Sequence, residues 1–351
     1  MSQRSRCDAS GLLVVDKPKG VTSHDVVAAV RSLLHIKRVG HAGTLDPMAT
    51  GVLVVGFGHA TRLLNAVVAH DKTYEATIRL GLSTTTDDAE GDFLPSSRRL
   101  CDDLLTVQRV QDVIDAHLSG TFDQVPSTYS AIKVEGRRAY DLARSGRHVE
   151  LPSRPITVSS WDIRDMRRCV ARIAEESRPC IDLDVVVECS TGTYIRALAR
   201  DLGELLGVGG YLTRLRRTRV GGFGIDGPGL VHAQTQERHY RDRAGKEVTR
   251  AKAVLDMDAE TLLAHAIPMI EAVRLTMPTV PVDARQARDL RFGRRIDTSI
   301  SENTAAYVAG TDDVVAILEA VERGEAKPIV VFPVEERAAT VDAAAGDKAI
   351  L

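Results

Sequence analysis

A chain of 351 residues has room for one large domain or two of moderate size. Its 44% hydrophobic and 27% charged residues fit a soluble globular protein, and no apolar run approaches the ~20 residues of a membrane span. The basic N-terminus has no signal-type apolar stretch behind it, so a cytoplasmic protein is expected, and a net charge of −2 speaks against a generally basic nucleic-acid binder.

Leu12 to Val15 reads as a short buried strand, ended by Lys17-Pro18-Lys19-Gly20. A helix follows, capped by Thr22 or Ser23, with Val26, Val27, Val30, Leu33 and Leu34 on one face. Val52 to Val55 is a second strand, bounded by Gly51 and Gly56. From Lys72 to Leu80 the pattern alternates, with Tyr74, Ala76, Ile78 and Leu80 on the apolar side. Thr106 to Leu118 predicts a helix and Ile181 to Glu188 a strand. After the turn Ser190-Thr191-Gly192-Thr193, helical spacing of Ile195, Leu198, Ala199, Leu202, Leu205 and Leu206 ends at Gly207. Gln234 to Asp256 is polar and reads as a surface insertion, and Arg164 to Arg178 as a charged peripheral stretch. Two prolines near Met277 to Val282 mark a boundary. Short strands are expected at Ala305–Val308, Val314–Leu318 and Pro328–Phe332, and a disordered tail from Glu335. Without a regular βαβ rhythm, the fold class is α+β.

Charge is unevenly placed. Arg214, Arg216, Arg217 and Arg219 form one basic run, and Lys133, Arg137, Arg138, Arg144 and Arg147 a second. Either is a solvated face or part of a phosphate-binding surface. Five widely spaced cysteines (Cys7, Cys101, Cys169, Cys180, Cys189) lack a C-x-x-C pair, which fits reduced thiols. Walker, Rossmann and G-x-S-x-G signatures are missing, the histidines form no metal-binding pair, and the acidic loop Asp87 to Asp92 lacks EF-hand spacing. No metal or cofactor is therefore expected.

The densest segment is Gly40-His41-Ala42-Gly43-Thr44-Leu45-Asp46-Pro47-Met48-Ala49-Thr50-Gly51, a tight loop displaying one carboxylate and one imidazole. Asp before Pro is also an ordinary turn or cap arrangement, so spacing leaves a structural and a catalytic Asp46 both open.

Gly40 to Leu53, reading GHAGTLDPMATGVL, resembles the signature of the TruB family of pseudouridine synthases, the tRNA pseudouridine-55 synthases. Other motifs follow in the family's order: GLLVVDKPKGVT from Gly11, KTYE from Lys72, PSTYSAIKVEGRRAYDLAR from Pro126, STGTYIRALARDLG from Ser190 and LTRLRR from Leu212. The likeness runs from about Gly11 to Val220. It implies an isomerase without cofactor, metal or obligate protein partner, acting on the T-arm of tRNA by base flipping. It implies that Asp46 is the nucleophile, that Tyr74 stacks on the base and takes part in proton removal, and that Arg196 pairs with Asp46. His41, Tyr194 and Leu215 would line the nucleotide pocket.

The implied fold is a mixed, largely antiparallel sheet flanked by helices, with a small β-rich PUA-like domain. The expected division is a disordered N-terminus at 1–10, a catalytic domain at 11–276, the PUA-like domain at 277–334 and a disordered tail at 335–351. The rivals are a tRNA-binding folding chaperone, against which intact Asp46, Tyr74 and Arg196 speak, and a guide-RNA-dependent synthase.

Overall fold

The apolar run Leu12–Val15 is buried on both faces, as a strand in the middle of a covered sheet must be. The computed structural model describes residues 9–95, 105–128, 133–134, 137–138, 151–173, 175–227, 229–241 and 245–334. Its strands are β1 (Gly11–Lys17), β2 (Val39–Ala42), β3 (Thr50–Phe57), β4 (Lys72–Leu80), β5 (Gly120–Gln124), β6 (Lys133–Val134), β7 (Arg137–Arg138), β8 (Arg154–Ile173) and β9 (Glu176–Cys189). They continue as β10 (Gly210–Val220), β11 (Phe223–Gly224), β12 (Leu230–Arg241), β13 (Glu247–Leu255), β14 (Thr279–Val282), β15 (Ile296–Asp297), β16 (Thr304–Val308), β17 (Val314–Ala320) and β18 (Glu325–Val331). The helices are α1 (Ser23–Leu34), α2 (Leu64–Ala69), α3 (Val107–His117), α4 (Ile195–Leu205), α5 (Ala259–Ala264), α6 (Met269–Arg274) and α7 (Ala284–Arg291). None of these is long and apolar enough to cross a membrane.

The main sheet runs β13-β12-β1-β3-β10-β4-β9-β8-β5, with β2 added to β3 and β11 to β10. Only β1 with β12 and β3 with β10 are parallel. The α+β class, mixed and largely antiparallel, agrees with the reading of the sequence. On one face, Leu13, Val15, Leu53 and Val55 pack beneath α1, α3 and α4. On the other, Leu12, Val14, Val52 and Val54 meet α2, α6 and Ala305, Val314, Ile317 and Phe332 of the C-terminal region. A second sheet, β14-β16-β17-β18-β15, carries α7 through Ala287 and Leu290.

Local signals explain most boundaries. Thr22 caps α1, accepting from the Asp25 amide while the Asp25 carboxylate reaches back to the Thr22 amide. Thr106 caps α3 in the same position. Gln234–Asp256, read as a polar surface insertion, is a regular hairpin of β12 and β13 that extends the sheet edge. Its polar sequence suits its place, since of the hairpin Val231, Ala233 and Ala253 are buried in the core, Ala251 and Leu255 pack against it, and most of the rest faces solvent. Arg164–Arg178, read as a charged peripheral stretch, lies in the outer ladder of β8 and β9. Leu205, placed on the apolar face by spacing, is exposed, and Leu206 takes the core position. The sequence reading also lacks β2, β5 to β8, β10 to β15 and the helices α2, α5, α6 and α7. Residues 1–8 and 335–351, Cys7, Cys101, Arg144 and Arg147 lie outside the described residues.

Candidate active site

The loop from Gly43 to Ala49 joins β2 to β3 and carries Asp46. Ser23, the first residue of α1, clamps it: its Oγ accepts from the Leu45 amide at 2.8 Å and donates to the Leu45 carbonyl at 3.1 Å. The Gly20 amide donates to the Pro47 carbonyl at 2.8 Å. Lys17, fully buried, donates to the carbonyls of Val21 (2.7 Å) and Pro18 (2.9 Å), with Pro47 at 3.4 Å. Burial pulls its pKa down to about 8, against the opposing pull of Asp46. Arg217, also buried, donates to the carbonyls of Gly43 (2.9 Å) and Val52 (2.8 Å). Buried cations bonded to backbone carbonyls hold a loop firmly, because each loses partners if the loop moves. Gly51 admits the Arg217 backbone: a Cβ there would lie 2.1 Å from the Arg217 carbonyl oxygen.

Arg196 comes from the first turn of α4 and is 4% exposed. Its helix sits close to β10 because both Gly203 and Gly210 lack side chains; a Cβ on Gly203 would lie 2.1 Å from the Gly210 nitrogen. This approach brings Arg196 Nε to 2.9 Å from Asp46 Oδ2. Nη1 donates to the Thr86 carbonyl at 3.0 Å and lies 3.4 Å from Asp88 Oδ2. Asp88, buried, is held in turn by the Thr86 hydroxyl (2.6 Å) and the Glu90 amide (3.0 Å). The acidic loop that lacked metal-ligand spacing thus supplies a second carboxylate to Arg196. Nothing in the spacing of Asp88 signals this.

A cavity of about 300 Å³ opens over these groups. Asp46, Tyr74, Tyr194, Arg196 and Leu215 all line it, together with Lys72 and Arg217, which sequence reading did not single out as pocket residues. Tyr74 on β4 stands in register with Arg217 on β10. Burial pushes the Tyr74 hydroxyl's pKa up, and the Arg217 guanidinium partly opposes this. Lys72, donating to the carbonyls of His70 and Val68, is lowered to about 8, chiefly by burial and then by Arg217. His41 is not among the lining residues. It lies half-buried on β2 opposite Val55, and burial, Arg217 and His24 lower its pKa.

The arginine run does not form an open cationic surface. Arg214 pairs with Glu75, Arg216 with Asp16 and Arg219 with Glu188, while Arg217 points inward. In β10 these side chains alternate across a strand flanked by β3 and β4, so carboxylates and carbonyls of nearby strands lie within reach. Of the second run, only Lys133, Arg137 and Arg138 are described, as the ladder of β6 and β7. Cys169, Cys180 and Cys189 are free thiols.

Residues 31–195 match the TruB family pseudouridylate synthase N-terminal domain, 196–265 the tRNA pseudouridylate synthase B C-terminal domain, and 277–333 the tRNA pseudouridine synthase II C-terminal domain. The tRNA pseudouridine synthase B of Bifidobacterium longum (strain NCC 2705) is 50% identical, covering 92% of this chain and 98% of that protein. The protein of the same name from Streptomyces griseus is 45% identical, over 92% of this chain and 97% of its own length. Among solved structures, a Cbf5-Nop10-Gar1 complex matches with TM-score 0.62 and 24% identity, covering 95% of this chain and 87% of that one. At that identity the likeness shows the fold alone.

Proposed function

The chain belongs to the TruB family of pseudouridine synthases, and on that premise we propose that it isomerises the uridine at position 55 in the T-loop of tRNA to pseudouridine, with Asp46 as nucleophile. The observation that carries this reading is the contact of Asp46 with a buried arginine in a pocket that also holds Tyr74. The N1–C1′ bond breaks and a C5–C1′ bond forms; the C5 proton leaves and N1 gains one. Atoms and electrons balance without an oxidant or reductant.

Each side chain has a physical task. Arg196 favours the charged form of Asp46, because a guanidinium stays protonated and stands within ion-pair distance. The uridine must leave its stack, which costs a few kcal/mol, and a base stacked on an aromatic ring recovers about 1–3 kcal/mol. Tyr74 and Tyr194 offer such rings, and the resemblance gives Tyr74 a part in moving the C5 proton, with the Arg217 guanidinium working against the burial that holds its hydroxyl protonated. Leu215 supplies an apolar wall, and His41 lies two residues before the loop, where the incoming strand would pass. The partner is the tRNA T-arm, with no obligate protein partner, and the setting is the cytoplasm.

Tritium release from tRNA labelled at uridine C5 tests the reading. The purified protein alone should release one tritium per pseudouridine formed, without added guide RNA. Asp46→Asn should stop release while tRNA affinity stays within about threefold of wild type, because a nucleophile adds chiefly to the transition state. Release at the wild-type rate would remove Asp46 from the chemistry. A requirement for guide RNA would instead place the chain among guide-dependent synthases.

A further inference from the structure

Arg196 is oriented from behind by a short turn, and that turn is itself gripped at a second point. Asp87 has φ +59°, a left-handed backbone that few non-glycine residues adopt and that Asp tolerates better than most. The turn sends neighbouring carboxylates to different arginines. Asp88 faces Arg196, while Asp87 Oδ2 lies 3.4 Å from Arg200 Nη1. Arg196 and Arg200 are four residues apart on α4, so they share one helix face. Arg200 is held ready by the Val125 carbonyl (2.8 Å) and by Asp201 (2.9 Å to its Nε). It does not line the pocket.

We propose that Asp87 and Arg200 are positioning residues, a second clamp that holds the Thr86–Asp88 turn so that Arg196 stays aimed at Asp46. With its backbone tied to β10 and its carboxylates fastened to α4 at Arg196 alone, the turn could still rotate about the line through those two contacts. Two contacts one helical turn apart remove the pivot. The backbone of the turn is separately tied to β10, where the Leu212 amide donates to the Asp87 carbonyl at 3.0 Å. Replacing the Asp87 side chain therefore leaves the path of the chain anchored and alters the ion pair. Arg200 acts through Asp87 and Arg196 and touches no reacting atom. The proposal rests on the assignment of Asp46 and Arg196 to pseudouridine formation.

The test uses the full chain, with Asp87→Asn, Arg200→Gln, Arg200→Lys and the double variant Asp87→Asn/Arg200→Gln. Asparagine keeps the size and the left-handed tolerance of aspartate, removes the charge and exchanges one acceptor oxygen for an NH2 donor. Asp87→Asn and Arg200→Gln are each expected to lower kcat by about tenfold, since small displacements of a catalytic group are costly, with KM and tRNA affinity within about twofold. Arg200→Lys should recover part of the loss, and the double variant should be no slower than Arg200→Gln alone. Wild-type kcat in Asp87→Asn, a loss confined to KM, or additive losses in the double variant would each overturn the clamp. If Asp87→Asn does not fold, the Arg200 pair decides: equal kcat in Arg200→Gln and wild type overturns it. Absence of pseudouridine with the wild-type protein would instead overturn the underlying assignment.

Discussion

Lys17 is the buried group whose titration is easiest to read. Its pKa is about 8 in the folded chain and 10.5 as the ordinary value, so burial penalises its charged form. Below pH 8 both folded and unfolded chains carry this proton, and the penalty is present in full. Between the two values the unfolded chain binds more protons, so the contribution of Lys17 to stability rises with pH across that window. Urea unfolding from pH 7 to 10 should show a more positive slope in the wild type than in Lys17→Met. Equal slopes would mean that the ammonium is not held as the structure shows it. Lys17→Met should also leave the Val21 and Pro18 carbonyls without their donor, costing about 1–3 kcal/mol for a buried acceptor. On the other side of the loop, replacing Arg217 would likewise leave the Gly43 and Val52 carbonyls without their donor.

At the level of elements, the distance between α4 and β10 decides whether a site exists. Gly203 and Gly210 permit that distance, since backbone atoms occupy the space a Cβ would need. Gly203→Ala should push the helix outward and draw Arg196 away from Asp46. The expected outcome is a kcat loss of about a hundredfold, in keeping with an ångström-scale misplacement, with a lowered Tm from overpacking. Tritium-release kinetics beside a thermal melt check this; unchanged kcat would show that the helix adjusts without moving the guanidinium. The arginine run on β10 carries a lesson at the same scale. A cluster of cations along a strand looks like a surface for phosphates, but alternate positions face different neighbours and found carboxylates or carbonyls there.

Across the whole molecule, the second sheet is built into the core of the first. Phe332, Val314, Ile317 and Ala305 share an apolar cluster with Leu12, Val14, Leu63 and Met269. Phe332→Ala should therefore destabilise the entire chain, by about 3–5 kcal/mol for a buried phenylalanine, rather than loosen the C-terminal region alone. Denaturant unfolding followed by tryptophan fluorescence reports on this, since Trp161, the one tryptophan, lies on β8 far along the main sheet. An unshifted Trp161 transition would show that the two sheets unfold independently. The sheet edges tell a related story: β12 and β13 leave the core behind, so their polar sequence hid a regular hairpin.

Local chemistry was readable in the chain itself. Capping residues, alternation along β4 and the helical spacing of α4 are short-range signals, so Thr22, Lys72–Leu80 and Ile195–Leu202 behave as their neighbours dictate. The ordered motifs pointed to Asp46, Tyr74 and Arg196, and Tyr194 and Leu215 sit with them around one cavity. Lys17 and Arg217 lie within two of those motifs without a role assigned to them, and Asp88 lies in none. Each acts through contacts with residues far away in sequence: Asp88 with Arg196, Arg217 with Gly43, Lys17 with Pro47. No local pattern records such a meeting, because it depends on which strands pair and how closely a helix packs. The sequence nominated a nucleophile. The ordered motifs also named Arg196 as its partner, but only the folded chain decided that this arginine would stand 2.9 Å from Asp46 with the Asp88 carboxylate 3.4 Å from its other side.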